Sequence, residues 1–464
     1  MMTSAFHLDP APSRVVVRRG PDHYDDRAAV TRLVQDALDA LNLPPGFLQP
    51  GQHVVLKPNW IKEHDERRPG PDQWAHLITH PAVIDAVARW AAARLQGQGR
   101  LTLCDAPQTD SSFDRIRAYC ELDEWRAVLQ SDFPQLQIEL QDLRPEEWRA
   151  VDGVTVAKRN LPGDPAGHTC VALNEASHFV GFHGDGRLYG ASFDMAETNR
   201  RHHGTHHEYL LCRTPMDADV LINLPKLKTH KKVGVTCALK NLVGINANKN
   251  WLPHHTEGTP PEGGDQFADA QARARLEQRG MGAAKRFIAR HPAAAYGLVP
   301  FKKIGRLFFG DTQQTIRSGN WHGNDTCWRM VLDLNKCLFY FDGTGHPRQR
   351  ALSYLTVVDG IIGGEGNGPM APDPKPCGVV LAGVHPVAVD WAAATLMGFD
   401  PQRLRLLTQA LASDQLPLAP FTADEIELDA DHPSWHGPLA NCHDTFAFKP
   451  HFGWVGAIEK KVDA

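Results

Sequence analysis

The run Leu221-Ile-Asn-Leu-Pro-Lys-Leu-Lys-Thr-His230, followed by Lys240-Asn241, concentrates cationic and acid/base groups behind an apolar segment. Val220 to Leu224 reads as a buried strand, and the polar residues begin where it ends. In an extended chain, side chains two apart share a face, so Lys226, Lys228 and His230 are expected to point the same way. Three potential cations on one edge are a poor core. They suit an anion instead: lysines stabilise developing negative charge, and histidine titrates near working pH.

Other chemistry-bearing residues also sit at strand ends. Lys57 and Asn59 follow Val54-Val55-Leu56, Asp105 follows Leu101-Thr-Leu-Cys104, and Asn223 lies within the Val220 run. Ligands of open parallel sheets bind in the crevice outside the carboxyl ends of the strands. Asp359-Gly-Ile-Ile-Gly-Gly-Glu-Gly-Asn-Gly-Pro369 reads as a glycine-rich acidic loop. It is neither a Walker A sequence nor a clean G-x-G-x-x-G. Its Asp359, Glu365 and Asn367, extended by Asp105 and Asp390, offer oxygens for a divalent cation, magnesium or a transition metal. Glu365 is alternatively a general base.

Lys249, His254 and His255 fall in a polar-aromatic loop with the character of a lid or ligand contact. His202/His206 and His203/His207 have the i, i+4 spacing that chelates a metal on a helix, although Gly204 argues for a polar loop. Cys237 reads as a small buried thiol.

The elements that position these groups alternate between strand and helix, which predicts a parallel sheet with helices on its faces. Helices are expected from about Asp26 to Leu41, from Thr79-His80-Pro81 to Arg94, over Ser112–Leu129 and over Pro386–Met397. Lys336–Phe341, Leu355–Val358 and Gly378–Ala382 read as sheet. The expected class is α/β: mostly parallel sheets with flanking helices, two α/β lobes around a central cleft, and a partly helical insertion. The segments are 1–255 with the lysine–histidine motif, 256–330 as insertion or lid (helical from Asp269 to Ala289), and 331–464 with the glycine-rich acidic loop.

Composition narrows the function classes. Lys and Arg number 49 against 54 Asp and Glu, a net charge of -5, which excludes a nucleic-acid-coating role. Nine cysteines without C-x-x-C spacing point to a reducing, cytoplasmic setting and against an iron–sulfur cluster or structural zinc. The first residues lack an apolar signal region, and no run approaches the roughly 18 apolar residues of a membrane helix. A soluble protein without membrane insertion or nucleic-acid partner is expected.

Lys57-Pro-Asn59, Thr79-His-Pro81, Asp105-Ala-Pro107, Asp219 to His230, Thr236 to Gly244, Asp359 to Pro369 and Pro386 to Asp390 occur in that order. Together they resemble the domain-of-unknown-function 362 family over about residues 50–400. Many members of that family carry a ferredoxin-like cluster domain, whose cysteine pattern this chain lacks, so the resemblance implies a site more than a reaction. Asn248–His255 and Gly319–Asn324 are similar to a subgroup in polysaccharide-biosynthesis gene neighbourhoods. At the level of architecture alone, the chain is similar to the nickel-pincer lactate racemases.

The expected function is an enzyme acting on an anionic small molecule, phosphorylated or carboxylated, with sugar derivatives among the candidates. His230, Lys228, Lys240 and Glu365 are its catalytic candidates. Lys57, Asn59, Asn223, Lys226, Thr229, Asn241, Lys249, His254 and His255 are substrate contacts, and Asp105, Asp359, Glu365, Asn367 and Asp390 are metal ligands. Two alternatives stand beside it: a metal- or metallocofactor-dependent isomerase or oxidoreductase, and a non-catalytic ligand-binding protein of a biosynthetic assembly pathway.

Overall fold

The computed structural model describes residues 11–460 except 69, 71–72, 152–153, 193 and 270–314. The expected helix from Asp269 to Ala289, and with it most of the insertion, lies outside the described residues. The strands run β1 (Arg14–Arg19), β2 (His53–Pro58), β3 (Gly99–Asp105) and β4 (Leu136–Asp142), then β5 (Glu146–Val151), β6 (Val154–Asn160), β7 (His168–Ala172), β8 (Leu188–Gly190), β9 (His202–His203) and β10 (His206–Cys212). They continue with β11 (Val220–Leu224), β12 (Lys226–His230), β13 (Gly234–Thr236), β14 (Pro253–Thr256), β15 (Ser353–Asn367), β16 (Ala371–Gly383), β17 (Glu427–Ala430) and β18 (Gly437–Pro438).

The central sheet has the order β18-β17-β1-β16-β15-β11-β2-β3-β4, with β12 and β13 attached to β15. From β15 through β11, β2 and β3 to β4 every pairing is parallel, and β16 runs antiparallel between β1 and β15. The class is α/β. Segments 1–255 and 331–464 both contribute strands to this sheet. The inner parallel strands β2, β3 and β11 are buried on both faces along most of their length, which is why they read as continuous apolar runs. Val54, Leu56, Ile222 and Leu224 pack into one core, with the helices Arg27–Ala40 and Pro81–Arg94. Val55 and Leu221 pack into the other, with the helices Cys327–Tyr340 and Pro386–Met397.

Two of these helices begin alike. Pro81 and Pro386 occupy first-turn positions, and the preceding His80 and His385 cap the helix by accepting from Ala82 N (3.1 Å) and Val387 N (3.3 Å). Proline is tolerated there because that N–H has no intrahelical partner. Two expectations change. The Ser112–Leu129 segment is broken into Phe113–Tyr119 and Leu122–Asp132, because Glu121 adopts a left-handed conformation with φ 51°. Lys336–Phe341 is no strand but the end of the helix Cys327–Tyr340, whose buried Met330, Val331, Leu334, Cys337 and Leu338 follow helical spacing.

The glycine-rich run is also a strand. Residues 359–367 belong to β15 and pair antiparallel with β16 as far as Asn367↔Ala371. Their other neighbour is β12, which continues past β11 and lies parallel to β15. A Cβ on Gly363 would lie 3.0 Å from Leu227 O, one on Gly364 2.8 Å from His76 O, and one on Gly368 2.0 Å from Thr229 O. The glycines serve close strand packing, not a phosphate loop.

Several histidines are held neutral by this burial. It lowers His53 to about 4, His178, His202, His385 and His451 to about 3, and His80 to about 2, from an ordinary 6.5. The unfolded chain then takes up protons below pH 6.5 that the folded chain refuses, so stability present above pH 6.5 is lost as pH falls toward 4. Asp390, raised by burial to about 7, works in the opposite sense, as do Asp265 and Asp333, which burial also raises. The melting temperature is expected to fall steeply between pH 6.5 and 4.5, and an unchanged value across that range would contradict the burial of these rings.

Candidate functional site

The chain leaves β2 in one direction, to β3 and β4, and leaves β11 in the other, to β15. This reversal is a topological switch point, where adjacent connections diverge and open a crevice at the carboxyl ends. Lys57 and Asn223 stand opposite one another across it. A cavity of about 390 Å³ lies there, lined by Lys57, Asn59, Asp105, His230, Lys231, Lys232, Thr236, Lys240, Asn241, Lys249, His254 and His255 among others.

One wall is a closed polar network. Lys57 Nζ donates to Asp105 Oδ1 (2.8 Å), to Pro58 O (2.9 Å) and to Asn241 Oδ1 (3.3 Å). Asp105 Oδ2 accepts from Trp60 N at 2.9 Å. Asn241 receives Asn59 Nδ2 at 2.8 Å and donates to Asn223 Oδ1 at 2.7 Å. Gly244 closes over this pair: a Cβ there would lie 2.0 Å from Asp105 Oδ1 and 2.6 Å from Lys57 Nζ.

The rest of the lining is cationic, with Asp105 its single carboxylate among the described residues. Lys249 Nζ reaches only the carbonyls of Ala106 (2.9 Å) and Val243 (3.5 Å). Burial lowers it to about 8, despite the opposing attraction of Asp105. Lys232 Nζ is held by Ser318 O and His255 Nδ1. Buried Lys240 and half-buried Lys231 have no side-chain hydrogen bond or ion pair to a described residue. Burial lowers the pKa of both, and His230 is held well below its ordinary value by burial first and by Lys240 and Lys231 next. Thr236 Oγ1, Asn59 Oδ1 and Ser192 Oγ, also on this lining, are buried without a hydrogen-bond partner among the described residues.

The structure thus brings Lys57, Asn59, Asp105, His230, Lys240, Asn241, Lys249, His254 and His255 onto one cavity. It sends others elsewhere. Lys226 is fully buried against Asp359 (2.8 Å) and Tyr24 OH (2.7 Å), and Lys228 Nζ donates to Leu77 O at 2.5 Å. Of the three, only His230 lines the cavity, because the amino groups of Lys226 and Lys228 are bonded to Asp359, Tyr24 and Leu77 in the interior. Thr229 Oγ1 donates to Gly366 O at 2.9 Å, and Asn223 Nδ2 to Ala238 O (2.9 Å) and Tyr354 OH (2.8 Å). These four brace the site from behind.

The five expected metal ligands do not converge. Asp105 pairs with Lys57, and Asp359 with Lys226. Asp390 accepts from Ala238 N and Leu239 N, capping the short helix that carries Lys240. Glu365 accepts from Lys449 N and faces Lys375, so it lies on the β15–β16 hairpin and not across from His230. Asn367 closes that hairpin. Among the described residues no group of three or more His, Cys, Asp or Glu side chains is placed to hold a metal. His202, His203, His206 and His207 pair across the short β9–β10 hairpin rather than along a helix, and His202 bonds Trp251 O at 2.9 Å. Cys237 is a buried thiol, as its sequence context suggests.

Residues 166–395 match the profile of the family described as Domain of unknown function (DUF362). The chain carries a DUF362 domain. The matched segment begins later than the resemblance read from motifs. It contains β11 to β16 with His230, Lys240 and His254, while Lys57, Asn59 and Asp105 of the same cavity precede it. The chain is 23% identical over 396 residues to "Thylakoid-associated protein sll1697" of Synechocystis, covering 85% of this chain and 77% of the relative. It also aligns with a solved structure from Thermotoga maritima at 9% identity and a TM-score of 0.30, covering 75% of this chain and 54% of that one. So low a TM-score carries no argument. No helix among the described residues is long and apolar enough to cross a membrane.

Lys231, Lys232 and Thr236 are site residues that alternation along the motif does not reveal. The chain turns directly after His230, so consecutive lysines reach the cavity. The signal was present as Lys231-Lys232 beside the histidine.

Gly244→Ala is expected to break the Lys57–Asp105 pair and to destabilise the protein by roughly 3–5 kcal/mol, the cost of an uncompensated buried charge. Chemical denaturation checks this, and a loss below about 1 kcal/mol would mean that the pair does not depend on the glycine.

Proposed function

We propose that this protein is an enzyme acting on an anionic small molecule, phosphorylated or carboxylated, bound in the lysine-lined cavity. The observation that carries the reading is Lys240, buried on the cavity wall without a hydrogen bond or counter-ion among the described residues, with Lys231 beside it. A buried charge is costly unless paired. An anion that pairs both lysines and gives Thr236 Oγ1 an acceptor completes the wall. Lys57 is already neutralised by Asp105, so it serves to shape the cavity while Lys231, Lys240 and Lys249 supply charge. A volume of about 390 Å³ lies at the lower end of the range for small-molecule sites. His230, adjoining these lysines, is the acid/base candidate.

An anion that binds only the folded state raises its melting temperature. Inorganic phosphate or pyrophosphate is expected to stabilise the wild type, and Lys240→Ala to weaken that response tenfold or more, about 1.4 kcal/mol. Lys249 carries its charge below its pKa of about 8 and loses it above, so affinity should decline as pH rises from 7 to 9. Equal responses in wild type and Lys240→Ala would sink the reading.

A further inference from the structure

Two histidines on the cavity wall are held in opposite tautomers by backbone groups whose roles are fixed. Lys232 N donates to His230 Nδ1 at 3.1 Å. A backbone N–H can only donate, so Nδ1 carries the lone pair and the neutral ring carries its proton on Nε2. His254 Nδ1 lies 2.8 Å from Leu252 O. A carbonyl can only accept, so here Nδ1 carries the proton and Nε2 the lone pair. In each ring Nδ1 is turned to the backbone, which leaves Nε2 as the ring nitrogen open to a ligand.

We propose that the cavity performs proton transfer on the bound anion, with His254 Nε2 as base and His230 Nε2–H as hydrogen-bond donor to the oxygen that gains charge. This rests on the anion-site reading above and names its reaction class: abstraction of a proton from a carbon next to a carbonyl or carboxylate. The proton of the C–H bond passes to His254 Nε2. The bonding pair becomes the carbon–carbon double bond of an enolate, and the carbonyl π pair moves onto oxygen, where His230 Nε2–H meets it. On an α-hydroxy carbonyl substrate, His254 Nε2 returns the proton to the former carbonyl carbon. His230 Nε2 gives its proton to the enolate oxygen and takes the proton of the α-hydroxyl, whose oxygen becomes the new carbonyl. This isomerisation leaves both rings as they began and needs no oxidant or further reactant.

The surroundings suit these roles. Both rings are kept neutral by burial and by neighbouring Lys240, with Lys231 and Lys232 also bearing on His230 and Lys232 on His254. A neutral imidazole is the form that can accept a proton at one site and donate a hydrogen bond at the other. The structure assigns the general base to His254, not to Glu365, and recasts His230 as the electrophilic partner.

The test is nitrogen NMR of protein labelled with ¹⁵N-histidine, with the two rings assigned from His230→Gln and His254→Gln. Should one of these not fold, the asparagine variant replaces it. At pH 7 His230 is expected as the Nε2–H tautomer and His254 as the Nδ1–H tautomer, both neutral. Inorganic phosphate, a nearby negative charge, is expected to raise the pKa of His254 by a unit or more and to leave His230, whose Nδ1 is occupied, neutral. Identical tautomers, or protonation of His230 ahead of His254, overturns the proposal and leaves the anion site standing. If phosphate moves neither ring nor the melting temperature of the wild type, the anion site itself falls, and the proton-transfer proposal with it.

Discussion

Asp359 is a fully buried carboxylate on which four parts of the chain converge. Its oxygens accept from Lys226 Nζ at 2.8 Å, Tyr24 OH at 2.7 Å and His80 N at 2.9 Å. They therefore join β15 to β12, to the segment before the helix Arg27–Ala40, and to the start of the helix Pro81–Arg94. Stability is a poor reason to keep such a pair, because two charges lose their water and regain only each other. Position is a better one. Lys226 and Asp359 fix where β12 lies on β15, and four residues later that strand delivers His230 and the Lys231-Lys232 turn to the cavity. A slip of one residue would send every β12 side chain to the opposite face.

Four lysines of the interior and the cavity wall accordingly fall into two kinds. Lys226 and Lys57 each meet a carboxylate within the protein, at 2.8 Å in both cases. They are structural, and loss of either partner would leave an uncompensated charge in the interior. Among the described residues Lys240 and Lys231 form no ion pair, although Glu66 and Asp110 attract Lys231 from further off. Their repulsion lowers His230, and their own protonation is opposed by burial. A protein that needed only stability would carry apolar residues at these positions. Among these four, the carboxylate partner rather than the charge separates scaffold from site.

Much of this was legible in the sequence because parallel strands buried on both faces leave continuous apolar runs, and His-Pro dipeptides mark helix starts. Val220–Leu224, Pro81–Arg94 and Pro386–Met397 appear in the structure with the predicted bounds. The ends of β2 and β3 placed Lys57 and Asp105 correctly for the same reason. What was hidden depends on pairing between distant segments. The glycines of residues 360–368 look like a loop until β12 is laid against them; then Gly360, Gly363, Gly364 and Gly368 are places where a side chain would strike a neighbouring strand or loop. The shift between Lys226 and Lys228 is likewise invisible, since it arises from the partner strand and not from the residues themselves. The four histidines of residues 202–207 show helical spacing, yet the turn at Gly204, with φ 55°, folds them into a hairpin.

The boundary of the family match bears on how this site is assembled. Residues 166–395 include the cationic turn, the helix with Lys240 and both histidines assigned to proton transfer. They do not include β2 or β3, whose ends supply the opposite wall. Without Asp105 and Lys57 the Asn59–Asn241–Asn223 network loses its anchor, and Asn241 follows Lys240 directly in the short helix capped by Asp390. The orientation of Lys240 therefore depends on a strand more than 50 residues before the matched segment begins. The switch point requires this: a crevice opens only where two connections diverge, and one of the two leaves from β2.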